Sequence, residues 1–304
     1  MTVGRMIYAI KQTTAYRYES PVPFARHALH LTPRSSATQE VLASAITVDP
    51  APRERGESDD IFGNRVTHVA IETPHQSLSV TSAATVRAIE VEAPDAEATP
   101  AWKTARDAAM AAADLGPRSP AHFIYPSRFV PMAPAIRDYA RMSFAGARRV
   151  LDGGIDLMER IKADFAYDPT ATDVTTPVSQ AFELRRGVCQ DFAHVMIAGL
   201  RALGLPAAYV SGYLRTEPPP GKPRLEGADA THAWVSLWCG PEAGWQGLDP
   251  TNGIRTATDH IELAFGRDYA DIAPVDGVIV ASGGHTLTVS VDVKLQDQPE
   301  KVAL

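Results

Sequence analysis

The sequence predicts an α+β protein, with an N-terminal β-sandwich followed by a unit in which helices come first and antiparallel strands after. Three observations carry this. Short alternating segments rich in Val, Ile, Thr and Tyr fill the chain up to about residue 92. A shift to Ala, Pro and acidic residues interrupts them at 93–100. Helical periodicity then gives way once to strand alternation and does not return.

In the first unit, 1–95, strand-like segments occur at 7–18, 24–33, 41–50, 65–74 and 77–92, parted by turn pairs such as Ser20-Pro21 and Asp49-Pro50. Asp59 to Asn64 reads as a turn between strands, because Gly63 and Asn64 tolerate positive φ. Regular spacing without a helical pattern between segments makes this unit a sandwich.

The second unit, 96–304, opens at Thr99-Pro100, an N-cap and first-turn pair for an Ala-rich helix reaching about Ala113. Pro134 opens a second helix ending near Phe144. The third covers 150–165, with Ile155, Met158, Ile161 and Phe165 near one face. Thr176-Pro177 caps a fourth, 178–186, stopped by Gly187. The fifth, 190–203, carries Phe192, Met196, Gly199, Leu200 and Leu203 on one stripe. Strands follow at 207–214, 232–238 and 244–249. In a last strand, 285–293, Leu287, Val289, Val291 and Val293 face one way. The core is expected over about 150–255, closed by C-terminal strands at 275–295. The Pro-rich stretch 217–223 reads as an exposed loop.

Composition narrows the function classes. With 304 residues, 45% apolar and 21% charged, disorder, coiled coil and collagen-like repeats are excluded. The formal charge of −7, from 29 basic and 36 acidic residues, argues against nucleic acid and anionic membrane surfaces as partners. No apolar run approaches the ~20 residues of a spanning helix. The first residues carry no secretion-type apolar core, and strand-like sequence begins directly after Met6, which could itself be the start. Cys189 and Cys239 are too few for a disulfide framework, so a cytoplasmic setting is expected. No cofactor or metal is expected either. His27 and His30 fall on opposite sides of a strand, and Asp164, Asp168 and Asp173 lack the glycine and terminal Glu of a calcium loop.

Three residues carry candidate chemistry. Cys189 follows a Gly-Val stop at the first turn of a helix, where unpaired N–H groups and the positive dipole end favour the thiolate, the nucleophilic form. His232 heads the strand 232–238, and Asp249 ends the next. If 239–244 is the turn, Trp238 opposes Trp245, and His232 and Asp249 become diagonal neighbours on one face. A one-residue slip would part them. Singly, each has an ordinary structural explanation: a small buried hydrophobe, a packed histidine, a turn aspartate before proline.

The surrounding residues supply a resemblance. Gly187-Val188-Cys189-Gln190-Asp191-Phe192-Ala193-His194, Leu205 to Tyr213, Thr231-His232-Ala233-Trp234-Val235 and Leu248-Asp249-Pro250-Thr251-Asn252 together resemble the bacterial transglutaminase-like superfamily. So does Phe165-Ala166-Tyr167-Asp168-Pro169. The strands before residue 92, with the Asp60-Ile61-Phe62-Gly63-Asn64 turn, resemble the N-terminal domain that often precedes such cores, and 268–275 with the final strand resembles the usual ending. The resemblance implies a papain-like, transglutaminase-like α+β core and a catalytic triad of Cys189, His232 and Asp249. Asp249 would orient His232, which takes the thiol proton and later protonates the leaving amine.

Other polar residues have weaker claims. The Cys189 N–H is the natural first oxyanion donor, and Tyr167 or Gln190 a second; spacing does not choose between them. Asp191 suits the helix dipole, with substrate contact as an alternative. Trp234 and Trp245 either wall an acyl tunnel or belong to the core. His194, five residues after Cys189, points away and is expected to pack against a neighbour. Cys239, at a strand end, is expected to be inert. The expected reaction is acyl transfer from a peptide or protein amide through a thioester, by a peptidase or amidase. A protein-glutamine transglutaminase, transferring to an amine, and a non-catalytic binding module are the alternatives. The sequence leaves the oligomeric state open.

Overall fold

Period-two burial shapes the N-terminal strands. On β1 (Arg5–Val22), Tyr8, Ile10, Gln12 and Thr14 are buried while Lys11 and Arg17 are exposed. The computed structural model describes residues 5–216 and 230–296, so the loop expected at 217–223 lies outside the described residues. After β1 come β2 (Phe24–Leu29), β3 (Gln39–Asp49), β4 (Glu54–Asp59), β5 (Arg65–Ile71) and β6 (His75–Ile89). The helical stretch holds α1 (Trp102–Met110), α2 (Pro134–Arg141), α3 (Val150–Asp164), the short β7 (Ala166–Tyr167), α4 (Val178–Leu184), β8 (Arg186–Gly187) and α5 (Cys189–Ala202). Then follow β9 (Ala207–Leu214), β10 (Ala230–Trp238), β11 (Trp245–Asp249), β12 (Ile254–Arg255), β13 (His260–Gly266), β14 (Val275–Val280) and β15 (His285–Gln296).

These strands make a two-sheet sandwich, ordered β15-β1-β6-β3 and β14-β2-β5-β4, and a separate five-stranded sheet, β12-β11-β10-β9-β13. The α+β class expected from the pattern is the class observed. One correction concerns the C-terminal strands expected to close the core at 275–295. They lie in the sandwich, β14 against β2 and β15 against β1 over its whole length, Ile7 opposite Gln296 to Tyr18 opposite His285. Alternation announces a strand but not the sheet it joins, which depends on distant partners. The polar strand β4 was also not anticipated. All six of its residues are exposed at a sheet edge, where charge guards against aberrant pairing and erases the apolar signal.

The sandwich interior joins Tyr8, Ile10, Leu78 and Val80 to Leu29 and Ile71, and continues without a break onto Tyr213, Ile261 and Leu263 of the five-stranded sheet. One face of the first sheet thus packs on both the second sheet and the core. Helix α1 starts after Ala101 rather than at Thr99-Pro100, because residues 100–102 pair with 148–150: Val150 N donates to Pro100 O at 2.9 Å and Trp102 N to Arg148 O at 3.0 Å. Helix α4 ends one turn before Gly187, with Arg185 left-handed at φ 54°.

Helix α5 is the centre of the core, buried from Asp191 to Arg201. Gly204, at φ 80°, ends it: Leu205 N donates to Leu200 O at 3.0 Å and Gly204 N to Arg201 O at 2.8 Å. That double bond pattern needs a residue that accepts left-handed backbone, hence glycine. Among the described residues no helix is long and apolar enough to cross a membrane.

Candidate active site

Cys189 is the first residue of α5, and its placement depends on a local cap. The Asp191 carboxylate turns back to accept from Val188 N at 2.8 Å and from Thr172 Oγ1 at 2.7 Å. Burial pushes this carboxyl up against the lowering effect of those two bonds. A Cβ at Gly187 would lie 2.4 Å from Asp191 Oδ2, so glycine there makes room for the cap. Asp191 therefore holds the helix start and is buried, at 3% exposure.

Strands β10 and β11 pair with Trp238 opposite Trp245 and Val235 opposite Leu248. That register carries His232 and Asp249 to one side, with His232 Nε2 at 2.8 Å from Asp249 Oδ2. Asp249 is fully buried and heavily solvated by the protein. Its Oδ1 accepts from Thr251 N at 2.9 Å and Asn252 N at 3.2 Å, and its Oδ2 from Asn252 Nδ2 at 2.7 Å and His260 Nε2 at 3.2 Å. Burial alone would raise this carboxyl, but the His232, His260 and Asn252 bonds outweigh it and hold it well below the usual carboxylate range. As an ionised acceptor, Asp249 makes both imidazoles donate through Nε2. That leaves His232 Nδ1 for the Cys189 thiol, which lines the same cavity. Burial opposes a charge on His232, yet the Asp249 hydrogen bond and the neighbouring Cys189 thiol prevail and push its pKa up to about 9.

The other candidates separate by position. Tyr167 lies on β7, beside β8, is 58% exposed, and its phenol is pushed up by burial and by the neighbouring Cys189. It stays a proton donor near the thiol. Gln190 lines the cavity with Cys189, its amide donating to Val174 O at 3.2 Å. Trp234 is buried in an aromatic cluster with Phe123, Phe265 and Trp245 rather than in the wall of the Cys189 cavity. His194 is buried, stacked on Phe129 at 5.8 Å, and accepts from Tyr269 N at 3.2 Å. Cys239 is buried, and burial pushes its thiol up to about 12.

Two contributions escaped the sequence. Asn252 lay inside a quoted motif without a role, and His260 in none. His260 Nδ1 accepts from Ala257 N at 3.3 Å, which fixes the proton on Nε2, aimed at Asp249. Gly212 makes the approach possible: a Cβ there would lie 2.4 Å from the Trp234 ring, which packs edge-on against His260 at 5.3 Å. His232, Asp249 and His260 are the one cluster among the described residues with metal-site spacing, their donor atoms within 4.8 Å of one another. Both Nε2 atoms already donate to the carboxylate, so the arrangement is a hydrogen-bonded one.

The thiol opens on a cavity of about 260 Å³. Its core side includes Gln190, Tyr209 and His232, and its far wall is the sandwich, through Tyr16, Leu287 and Val289. Thiol, imidazole and carboxylate in series beside a helix start are the groups that acyl transfer through a thioester requires.

Comparison with known proteins agrees with this geometry. Residues 8–87 match the family described as bacterial transglutaminase-like N-terminal region, and 137–250 the transglutaminase-like superfamily. An uncharacterized protein of Mycobacterium tuberculosis is 40% identical over 307 residues, covering 95% of this chain and 93% of its own. The chain belongs to the transglutaminase-like superfamily. A protein-glutamine gamma-glutamyltransferase of Pseudomonas aeruginosa is 34% identical to this transglutaminase-like chain over 155 residues, 48% of this chain but 22% of that enzyme. A crystal structure from Cytophaga hutchinsonii, named a "Putative Cysteine Protease", superposes with TM-score 0.75 at 22% identity, covering 97% of this chain and 92% of that one. At that identity the likeness is one of fold, and it spans both the sandwich and the transglutaminase-like core.

Proposed function

We propose that the protein is a cysteine-dependent acyl-transfer enzyme that cleaves a peptide or side-chain amide through a thioester, with water as the usual acceptor. The Cys189–His232–Asp249 series facing the cavity carries this conclusion. The Cys189 thiolate attacks the amide carbonyl, forming the C–S bond. Its proton, held on His232, passes to the departing amine or ammonia as the C–N bond breaks. Water then attacks the thioester with His232 as base, and the acid and free thiol separate. The Cys189 N–H supplies the first oxyanion donor of this reading, and Tyr167, beside the thiol, or Gln190, in the cavity lining, the second. Hydrolysis is favoured because solvent reaches the site: Leu287 and Val289 in its wall are 51% and 44% exposed, and amine transfer needs a drier acyl-enzyme. The γ-glutamyltransferase relative favours the second possibility, transfer to an amine. Both cysteines are unpaired, which suits a cytoplasmic setting.

Ammonia release from glutamine peptides, measured with and without a primary amine, tests both. Release unaffected by amine is expected. Amine incorporation matching ammonia release would make the protein a transglutaminase. No turnover, together with partner binding that survives Cys189→Ala, would make it a binding module.

A further inference from the structure

Three observations on the sandwich side of the cavity bear on what it accepts. Among the described residues, the cavity lining includes no Asp, Glu, Lys or Arg. The stripe on β15 changes environment along one face: Val291 and Val293 are buried, at 1% and 0% exposure, while Leu287 and Val289 stay 51% and 44% exposed at the cavity. That half of the stripe is held firmly, because β15 pairs with β1 so that Leu287 is opposite Tyr16 and Val289 opposite Thr14, both also at the cavity.

We propose that β1 and β15 form the acyl-donor wall of the active site, selecting a peptide that presents an uncharged, apolar side chain next to the reactive amide. This rests on the acyl-transfer function proposed above and names its substrate class. An apolar side chain laid on Leu287, Val289 and the Tyr16 ring loses water from both surfaces. A charged one loses hydration, and on the β1–β15 side of the cavity no described Asp, Glu, Lys or Arg offers it a counter-charge. β1 and β15 belong to the sandwich, which gives the sandwich a part in specificity.

The test uses three thiol alkylators on the full-length protein: iodoacetamide, and two dipeptidyl chloromethyl ketones that differ only in carrying Leu or Glu before the reactive group. In each, the Cys189 thiolate forms a C–S bond and halide leaves. The Leu probe is expected to react about tenfold or more faster than the Glu probe, each rate taken relative to iodoacetamide. Leu287→Lys should shift the preference towards the Glu probe, and Leu287→Glu should weaken the Leu probe. The Leu287 side chain is 51% exposed at the cavity, so neither substitution threatens the fold. Equal rates for the two peptides, or a preference unmoved in both variants, overturn the wall while leaving the thiol chemistry standing. A Cys189 that iodoacetamide labels no faster than Cys239 overturns the proposed function, and the wall with it.

Discussion

Asp249 Oδ2 accepts a hydrogen bond from His260 Nε2 at 3.2 Å, beside the one it accepts from His232. The carboxylate that orients the imidazole is thus itself oriented. His260 touches neither the thiol nor the cavity and acts through Asp249. Removing a buried hydrogen bond to a charged group costs roughly 1.5–3 kcal/mol. His260→Phe is therefore expected to lower kcat by about tenfold or more with little change in KM. His260→Gln, which can still donate, should recover part of it. A loss of stability with normal kcat in the folded fraction would make His260 a packing residue only.

Cys189 and Cys239 form an internal comparison, one at a helix start beside His232 and one buried with its thiol pushed up to about 12. In native protein at pH 7, iodoacetamide should label Cys189 at least tenfold faster than Cys239. His232→Ala should remove most of that difference. Mass spectrometry of the two peptides reads both rates, and similar labelling would count against a thiol–imidazole pair.

The pH dependence of stability follows from His232. Its folded pKa is raised to about 9, above an ordinary value of 6.5. The stabilisation it brings is fully present below the ordinary value and is lost as pH rises through about 9. Asp249, held low, acts in the opposite sense, and its contribution is lost only in strong acid. Between pH 6 and 10 the wild type should lose more Tm than His232→Gln, so that the two melting curves converge. Parallel decline would show that His232 is not charged in the folded state.

Gly212 lets the Trp234 ring cross β9. An added Cβ would stand 2.2 Å from Ile261 O and 2.4 Å from that ring, contacts that rigid backbone and a buried indole cannot relieve. Gly212→Ala should destabilise the fold by about 1–3 kcal/mol. Because Trp234 packs on His260, it should also lower activity in the fraction that stays folded. Unchanged denaturant midpoints would show that the strand yields more readily than the packing implies.

Local chemistry was legible in the sequence by itself. The Gly-Val stop before Cys189, the strand headed by His232 and the strand ended by Asp249 each rest on propensity and turn chemistry within a few residues. The register between the last two follows from the length of the intervening turn. Those signals determined the α+β class, the central helix and the positions of the three candidate side chains. Tertiary structure alone decided what surrounds them. His260 reaches Asp249 because β13 adds to the far side of β9, and nothing near residue 260 encodes that pairing. β15 entered the sandwich instead of the core because its alternating face suits any half-buried sheet, and β1 offered the long unpaired edge. Short-range patterns specify elements through local backbone and burial preferences. Which elements meet is settled by the apolar surface they bury together, and that is a property of the whole chain.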